Sequence, residues 1–285
     1  MKNYRDAIFF ILMSLFWALN YPLIKIAVLF QNEFYVIFFR VLFGFILSII
    51  LFPKSIMIEK SLKLHFKLFV VSMLNIVGFM ELWFIGEMGE SASISSIIIY
   101  SYPILIVLLS VPFLKEKIGI MNIIGSITAL IGIILIFFQE IEIKYSAGLI
   151  FLFLGALSWS FGTIIYKKYL NGIEPIKVNT MQLFYALPVT LIIALYSGPI
   201  IINNLNIEFF IITLYMGIFG TAIAYFIFLY LYRKYNVSKI SSFLFIVPTF
   251  TVIISAVFLN ESLTVINMLG FIFIILGIYL SQKNY

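Results

Sequence analysis

Polar residues in this chain come in short clusters, separated by long runs of Ile, Leu, Phe and Val. Breaking the chain at those clusters leaves ten apolar segments, at 6–29, 33–52, 66–86, 91–113, 119–138, 146–166, 177–198, 208–231, 237–259 and 264–281. Crossing the hydrocarbon core takes about 20 apolar residues in a helix, and these segments meet that length. The connections are short, which leaves no place for an inserted soluble domain. The pattern predicts an all-α polytopic membrane protein with ten transmembrane helices, named here spans 1 to 10.

Composition agrees. The chain is 64% hydrophobic, 18% aromatic and only 11% charged, whereas soluble domains carry about 45–50% apolar and about 25% charged residues. Most of this surface therefore needs lipid as its solvent. The opening "MKNYRDAIFF" is similar to the n-region of a signal peptide, but the apolar run is too long and no small-residue cleavage site follows. It is expected to remain as the first membrane helix. The absence of cysteine excludes disulfides, thiolate metal sites and cysteine nucleophiles.

The net charge of +6 would point to nucleic acid in a soluble protein. Here its distribution explains it, because Lys and Arg concentrate in cytoplasmic loops. With the N-terminus inside, the inner segments hold most of the 18 basic residues, among them Lys54, Lys60, Lys63, Lys115, Lys117, Lys168, Arg233, Lys234 and Lys283. The outer loops hold Lys144 and the acids Glu33, Glu87, Glu90, Glu140, Glu142, Glu208 and Glu261. Both termini are expected in the cytoplasm, with the protein in the cell (inner) membrane.

The chain also repeats itself. "SLFWALNYPLIK", residues 14–25, returns as "ALSWSFGTIIYK", residues 156–167, with Trp159 and Lys167 on Trp17 and Lys25. Farther on, Ser93, Ser96, Pro103, Glu116, Asn122, Gly125 and Gly132 fall on Ser238, Ser241, Pro248, Glu261, Asn267, Gly270 and Gly277. The displacement drifts from 142 to 145 residues, a three-residue loop difference. The repeats divide the chain into 1–140 and 141–285. Each holds five spans, an odd number, so the second enters the membrane from the opposite side. Inverted repeats are an architecture of secondary transporters, with substrate near the midplane.

Ten spans as five and five, the W-x-x-N-x-x-x-x-K pattern of Trp17, Asn20 and Lys25, Arg40 in span 2, and Pro103 and Pro248 in spans 4 and 9 resemble the EamA family. So does the F-L-x-E phrase before spans 5 and 10. That family belongs to the drug/metabolite transporter superfamily, which includes amino-acid and metabolite exporters. The resemblance covers the whole chain and implies a transporter rather than an enzyme. The second copy departs from the pattern, with Gly162 in place of Asn20 and Gln182 in place of Arg40. Whatever Asn20 and Arg40 do is therefore done on one side only.

Several residues are candidates for the substrate path. Ser14, Trp17, Tyr21 and Lys25 fall within ~80° of one another at ~100° per residue, a stripe ill suited to lipid. Span 6 repeats it as Trp159, Thr163 and Lys167. Both Trp residues lie too far inside their spans to be interface anchors, whereas Lys167 fits an anchor well. Asn20, Asn75 and Gln182 are further polar positions within spans. Pro103 and Pro248 should kink spans 4 and 9 by freeing the carbonyls of Ile99 and Leu244, and are candidate hinges. Ser91, Ser93, Ser95, Ser96, Tyr100, Ser101 and Tyr102 crowd the start of span 4, where such groups line a wet cavity or pack helices closely.

Lys25, Arg40 and Glu81 fall in a layer ~6–11 Å below the outer surface at ~1.5 Å per residue. Their net positive charge would suit a substrate carboxylate, and Glu81 would meet an amino group or carry a proton; a structural Arg40–Glu81 pair with Lys25 snorkelling outward is the competing reading. Neither repeat-matched position, Gln182 nor Phe226, restores that layer. Gly125, Ala129, Gly132, Gly270 and Gly277 are read as close helix packing. Glu116 and Glu261 are read as structural carboxylates at the N-termini of spans 5 and 10, and His65 as a loop residue.

No G-x-x-x-x-G-K phosphate loop occurs, so ATP does not drive the protein directly. One aspartate, Asp6, cannot form a dyad, and one histidine outside the core disfavours a serine protease. The expectation is a permease exporting a small organic metabolite, an amino acid by family resemblance, through alternating access. Efflux of lipophilic cations and a non-transporting scaffold are the alternatives. The expected partners are a small-molecule substrate and the lipid bilayer, without nucleic acid, cofactor or metal, in a monomer or weak dimer.

Overall fold

The computed structural model describes residues 3–87, 92–138, 147–259 and 264–283, and among them every regular element is helical. Nine helices there are long and apolar enough to cross a membrane, and the shorter apolar helix Val265–Ser281 follows them. Spans 1 (Tyr4–Ala27), 2 (Glu33–Leu51), 5 (Ile120–Phe137), 7 (Pro175–Ser197) and 10 (Val265–Ser281) run as single α-helices. Asparagine starts several helices: Asn3, Asn32 and Asn206 each accept a backbone N–H of the first turn. Such caps satisfy donors that have no partner inside the helix.

The other spans are irregular, and the irregularities of spans 3, 4, 8 and 9 follow the repeat. Span 3 joins Leu62–Ser72 to Phe79–Glu87 through a π turn at Met73–Gly78. Span 8 joins Ile207–Gly217 to Ala224–Lys234 through a π turn at Ile218–Ile223. A displacement of 145 residues carries one turn onto the other. Span 4 breaks at Tyr100–Ser101, between Ala92–Ile99 and Tyr102–Leu114. Span 9 breaks at Leu244–Phe245, between Val237–Phe243 and Ile246–Leu259. Span 6, Gly148–Ile165, ends in a third π turn at Tyr166–Leu170.

Two details correct the sequence reading. Span 3 starts at Leu62, not near residue 66, so His65 is helical rather than in a loop; its Nδ1 lies 2.6 Å from the Tyr185 hydroxyl. Lys63, His65 and Lys67 read as a polar cluster, yet they belong to the first turns of this helix, in which Lys63 is exposed, His65 faces Tyr185 and Leu68 is buried. The prolines do mark breaks, but each lies in the first turn of the resumed helix, where a missing N–H leaves no bond unmade.

The chain forms two compact units, Met1–Val77 with Tyr169–Arg233, and Gly78–Lys168 with Lys234–Tyr285. Each takes spans from both sequence halves. In the first unit, span 2 pairs with span 7 head to tail. Gln31 and Ile201 exchange hydrogen bonds of 2.7 and 3.1 Å, and Asn32 donates to Ser197 Oγ at 2.9 Å. At the opposite ends, Thr180 donates to Ser55 Oγ at 2.9 Å.

In the second unit, span 5 pairs with span 10 in the same way. Asn122 donates to the Ser281 carbonyl at 3.2 Å, and its repeat mate Asn267 donates to the Ile136 carbonyl at 2.7 Å. Ile136 and Ser281 are themselves repeat mates. Between those ends the glycines let backbones touch: a Cβ on Gly132 would sit 2.7 Å from the Gly270 carbonyl oxygen, and one on Gly270 would sit 2.6 Å from that of Gly132. Packing of this kind is how helices associate in lipid, where apolar area alone gives no preference between helices. Antiparallel pairing of repeat mates inside each unit is the inverted repeat seen directly.

Candidate functional site

A π turn takes the helix off its regular ladder, so backbone groups there look for other partners. In the first unit the turn Ile218–Ile223 finds them on three helices. Trp17 of span 1 donates its indole N–H to the Gly220 carbonyl at 3.1 Å. Arg40 of span 2 reaches the same carbonyl through Nη2 at 3.2 Å and donates through Nε to Thr221 Oγ1 at 2.6 Å. Asn179 of span 7 donates to the Ala222 carbonyl at 2.8 Å. Asn20 of span 1 lies against Gly220 so closely that a Cβ there would stand 2.8 Å from the Asn20 Cγ. Only glycine admits this approach.

The turn Met73–Gly78 is engaged by the repeat mate of Arg40. Gln182 accepts from Asn75 Nδ2 on its side-chain oxygen at 3.3 Å, and its carbonyl accepts from Ser72 Oγ at 2.6 Å. Residues 40 and 182 thus each meet a π turn of the opposite repeat, Arg40 by donating to its backbone and Gln182 by accepting from its Asn75 side chain. One does it with a cation, the other with a neutral amide. Arg40, Asn20, Asn75, Asn179 and Gln182 are all at most 5% exposed, a depth at which every polar group needs a partner.

The second unit carries the matching tryptophan. Trp159 packs on Phe79, the residue after the span 3 π turn, with ring centroids 4.8 Å apart, and edge-on to Tyr102 at 6.1 Å. Ser160 donates to the Tyr102 carbonyl at 3.3 Å, beside the break in span 4. Tyr100, Tyr102 and Glu81 are buried in this unit. Gly155 lets span 6 lie 3.3 Å, measured from a would-be Cβ, from the Trp83 backbone nitrogen.

The EamA-like transporter family matches residues 5–138 and again residues 146–282. The chain belongs to the EamA-like transporter family. Among its relatives are the uncharacterized transporter YvbV of Bacillus subtilis, 27% identical over 97% of this chain and 91% of that protein, and the uncharacterized transporter sll0355 of Synechocystis, 30% identical over 70% of this chain and 66% of that one. A WAT1-related chloroplastic protein of Arabidopsis thaliana is 24% identical over 93% of this chain and 66% of its own length. A solved crystal structure has the same fold, with a TM-score of 0.85 over 98% of this chain and 96% of its own at 13% identity. This is therefore a multi-pass membrane transporter, and not an enzyme.

The remaining candidates of this EamA-like transporter fall into three groups. Ser14 and Thr163 turn their hydroxyls back to the carbonyls of Phe10 and Trp159, at 2.8 and 2.9 Å in their own helices. The side chains of Tyr21 and Lys25 lie outside the described residues, as do those of Ser91, Ser93 and Glu261. Arg40 belongs to the first unit and Glu81 to the second.

Glu116 departs from its expected place. It caps span 9 rather than span 5, accepting from Val237 N at 2.8 Å, Ser238 N at 3.1 Å and Ser238 Oγ at 2.7 Å. Lys167 donates to the Tyr235 carbonyl at 2.9 Å just before that helix. Sequence reasoning missed Asn179 and Thr221. The signal for Asn179 was present: it precedes Gln182 by three positions on span 7 and shares its face.

Proposed function

We propose that this transporter exports a small organic metabolite of the amino-acid class across the cytoplasmic membrane by alternating access, with both termini in the cytoplasm. One observation carries the reading: the π turns at Met73–Gly78 and Ile218–Ile223 occupy repeat-matched positions, and the breaks at Tyr100–Ser101 and Leu244–Phe245 do so to within one residue. Irregular backbone at membrane depth is tolerated where it is buried in protein or lines a cavity, and discontinuous helices in inverted repeats mark transport sites. Two such sets, oppositely oriented, provide two gates of similar construction. The charge asymmetry of the loops supports the orientation.

The test is counterflow in proteoliposomes preloaded with single solutes, drawn from amino acids, organic acids, sugars and one lipophilic cation. Exchange of amino acids above empty vesicles is the expected result. Exchange of the lipophilic cation alone would replace the substrate class, and no exchange of any solute would overturn the transport reading.

A further inference from the structure

Where span 2 passes into span 3, the first unit carries Lys54, Lys60, Lys63 and Lys67 against a single acid, Glu59. Lys54, Lys60 and Lys63 are exposed, and their side chains make no hydrogen bond or ion pair among the described residues. Lys67 is half-buried, its Nζ 5.1 Å from the centroid of the Tyr169 ring. Several basic side chains elsewhere are taken up within the protein. Lys177 pairs with Glu174 at 3.1 Å, Lys167 donates to the Tyr235 carbonyl, and Arg5 lies over the Phe9 ring. The connection itself is held in place. Pro53–Ile56 forms a short 3-10 turn, and Ser55 within it is buried and accepts from Thr180 of span 7 at 2.9 Å. Apolar chemistry lies beside the charge. Leu62, Phe66 and Phe69 recur at i, i+4 and i+7 on the helix that opens span 3, with exposures of 88%, 65% and 40%. Lys63 and Lys67 form the adjacent row on that helix, and the apolar row leads inward for about 10 Å.

We propose that this surface binds an anionic phospholipid, with its head group among Lys54, Lys60 and Lys63 and an acyl chain along Leu62, Phe66 and Phe69. Charge complementarity selects the head group. Lysines that outnumber the local acid four to one favour a lipid of net negative charge over a zwitterionic one. The apolar row selects a lipid over a soluble anion, because a free phosphate ester has nothing to place against Leu62 and Phe66. Lysine stems lie along apolar surface while their ammonium groups stay at the level of the head groups, so the two rows serve one ligand. Only the choice of leaflet rests on the orientation proposed above; the site itself follows from the fold.

The experiment is titration of the purified full-length protein in detergent micelles, read by native mass spectrometry. The probes are dioleoyl phosphatidylglycerol, dioleoyl phosphatidylcholine and glycerol 3-phosphate. Neither sidedness nor transport enters this readout, so it fails or succeeds independently of the counterflow test. We expect the first phosphatidylglycerol to bind at lower concentration than phosphatidylcholine, and glycerol 3-phosphate not to bind. Lys54→Gln, Lys60→Gln and Lys63→Gln together should weaken phosphatidylglycerol roughly 100-fold, about 5-fold for each lysine near a lipid surface, and leave phosphatidylcholine unchanged. Lys115→Gln, Lys117→Gln and Lys283→Gln together remove the same charge elsewhere and should leave phosphatidylglycerol binding close to native. Phe66→Ser should weaken both lipids. All these positions are exposed, so the variants leave the packed interior intact. Equal weakening by the two triple variants would reduce the effect to net charge and overturn the site. Equal binding of the two lipids to the native protein would overturn it as well. Glycerol 3-phosphate binding as tightly as phosphatidylglycerol, or unchanged lipid binding in Phe66→Ser, would replace the lipid by a soluble anion and overturn the proposal.

Discussion

At the scale of single residues, Gly220 shows how tightly the chemistry of span 8 is bound to the packing around it. Its carbonyl accepts from Trp17 and Arg40, and its Cα faces the Asn20 amide. Gly220→Ala should therefore cost about 1–3 kcal/mol through overpacking, read as a lower melting temperature of the purified protein. Gly172 has nothing within 4 Å of a would-be Cβ, and Gly172→Ala should melt as the native protein does. Equal melting of the two variants would mean that the Gly220 contact relaxes freely. The polarity of these residues was legible in the sequence, since Asn20, Arg40 and Gln182 are rare polar groups in apolar runs. Their partners were not, because Arg40 and Thr221 are separated by most of the chain and meet only through packing.

Elements in this protein are joined by caps that cross from one span to another. Glu116 follows span 4 in sequence yet supplies all three acceptor contacts at the start of span 9. Glu116→Ala would leave the N–H groups of Val237 and Ser238 without these partners, a loss of about 1–2 kcal/mol for a helix cap. Hydrogen exchange at those two amides should speed up markedly while exchange in span 10 stays unchanged. A uniform increase along the chain would instead indicate global destabilisation. The prolines belong to this scale too. Pro103 and Pro248 open resumed helices rather than interrupting continuous ones, so Pro103→Ala and Pro248→Ala should insert and fold. Both should lower the counterflow rate if the breaks before them are the moving joints. Native rates in both variants would take the prolines out of the mechanism.

The whole molecule is a membrane protein whose repeat mates pair antiparallel, span 2 with span 7 in one unit and span 5 with span 10 in the other. Its lack of cysteine makes topology testable without background. Under the proposed orientation, cysteines at Leu29 and Asn203 should react with an impermeant thiol reagent added outside intact cells. Cysteines at Lys54, Lys117 and Gly172 should not. All five positions are exposed, so silence in the second set reports sidedness rather than burial. Ser55 would be a poor probe, being 2% exposed and bonded to Thr180. External labelling of Lys54 or Gly172 positions would reverse the orientation drawn from the loop charges.

By itself the sequence determined the spans, their order and the repeat. Lipid forces each crossing segment to satisfy its backbone internally and to be apolar over a set length, and both conditions are written locally in the chain. It also marked where spans 4 and 9 would break, because proline acts on its own helix. The π turns left no such mark: "MLNIVG" and "IFGTAI" share no local signal that predicts a widened turn. Tertiary structure alone decided them, together with the choice of Arg40 and Gln182 as their partners and the move of Glu116 from span 5 to span 9. At Ile218–Ile223 the carbonyls of Gly220 and Ala222 are taken by groups from other helices, and which helices are near enough to do so is settled by how the repeats fold onto each other.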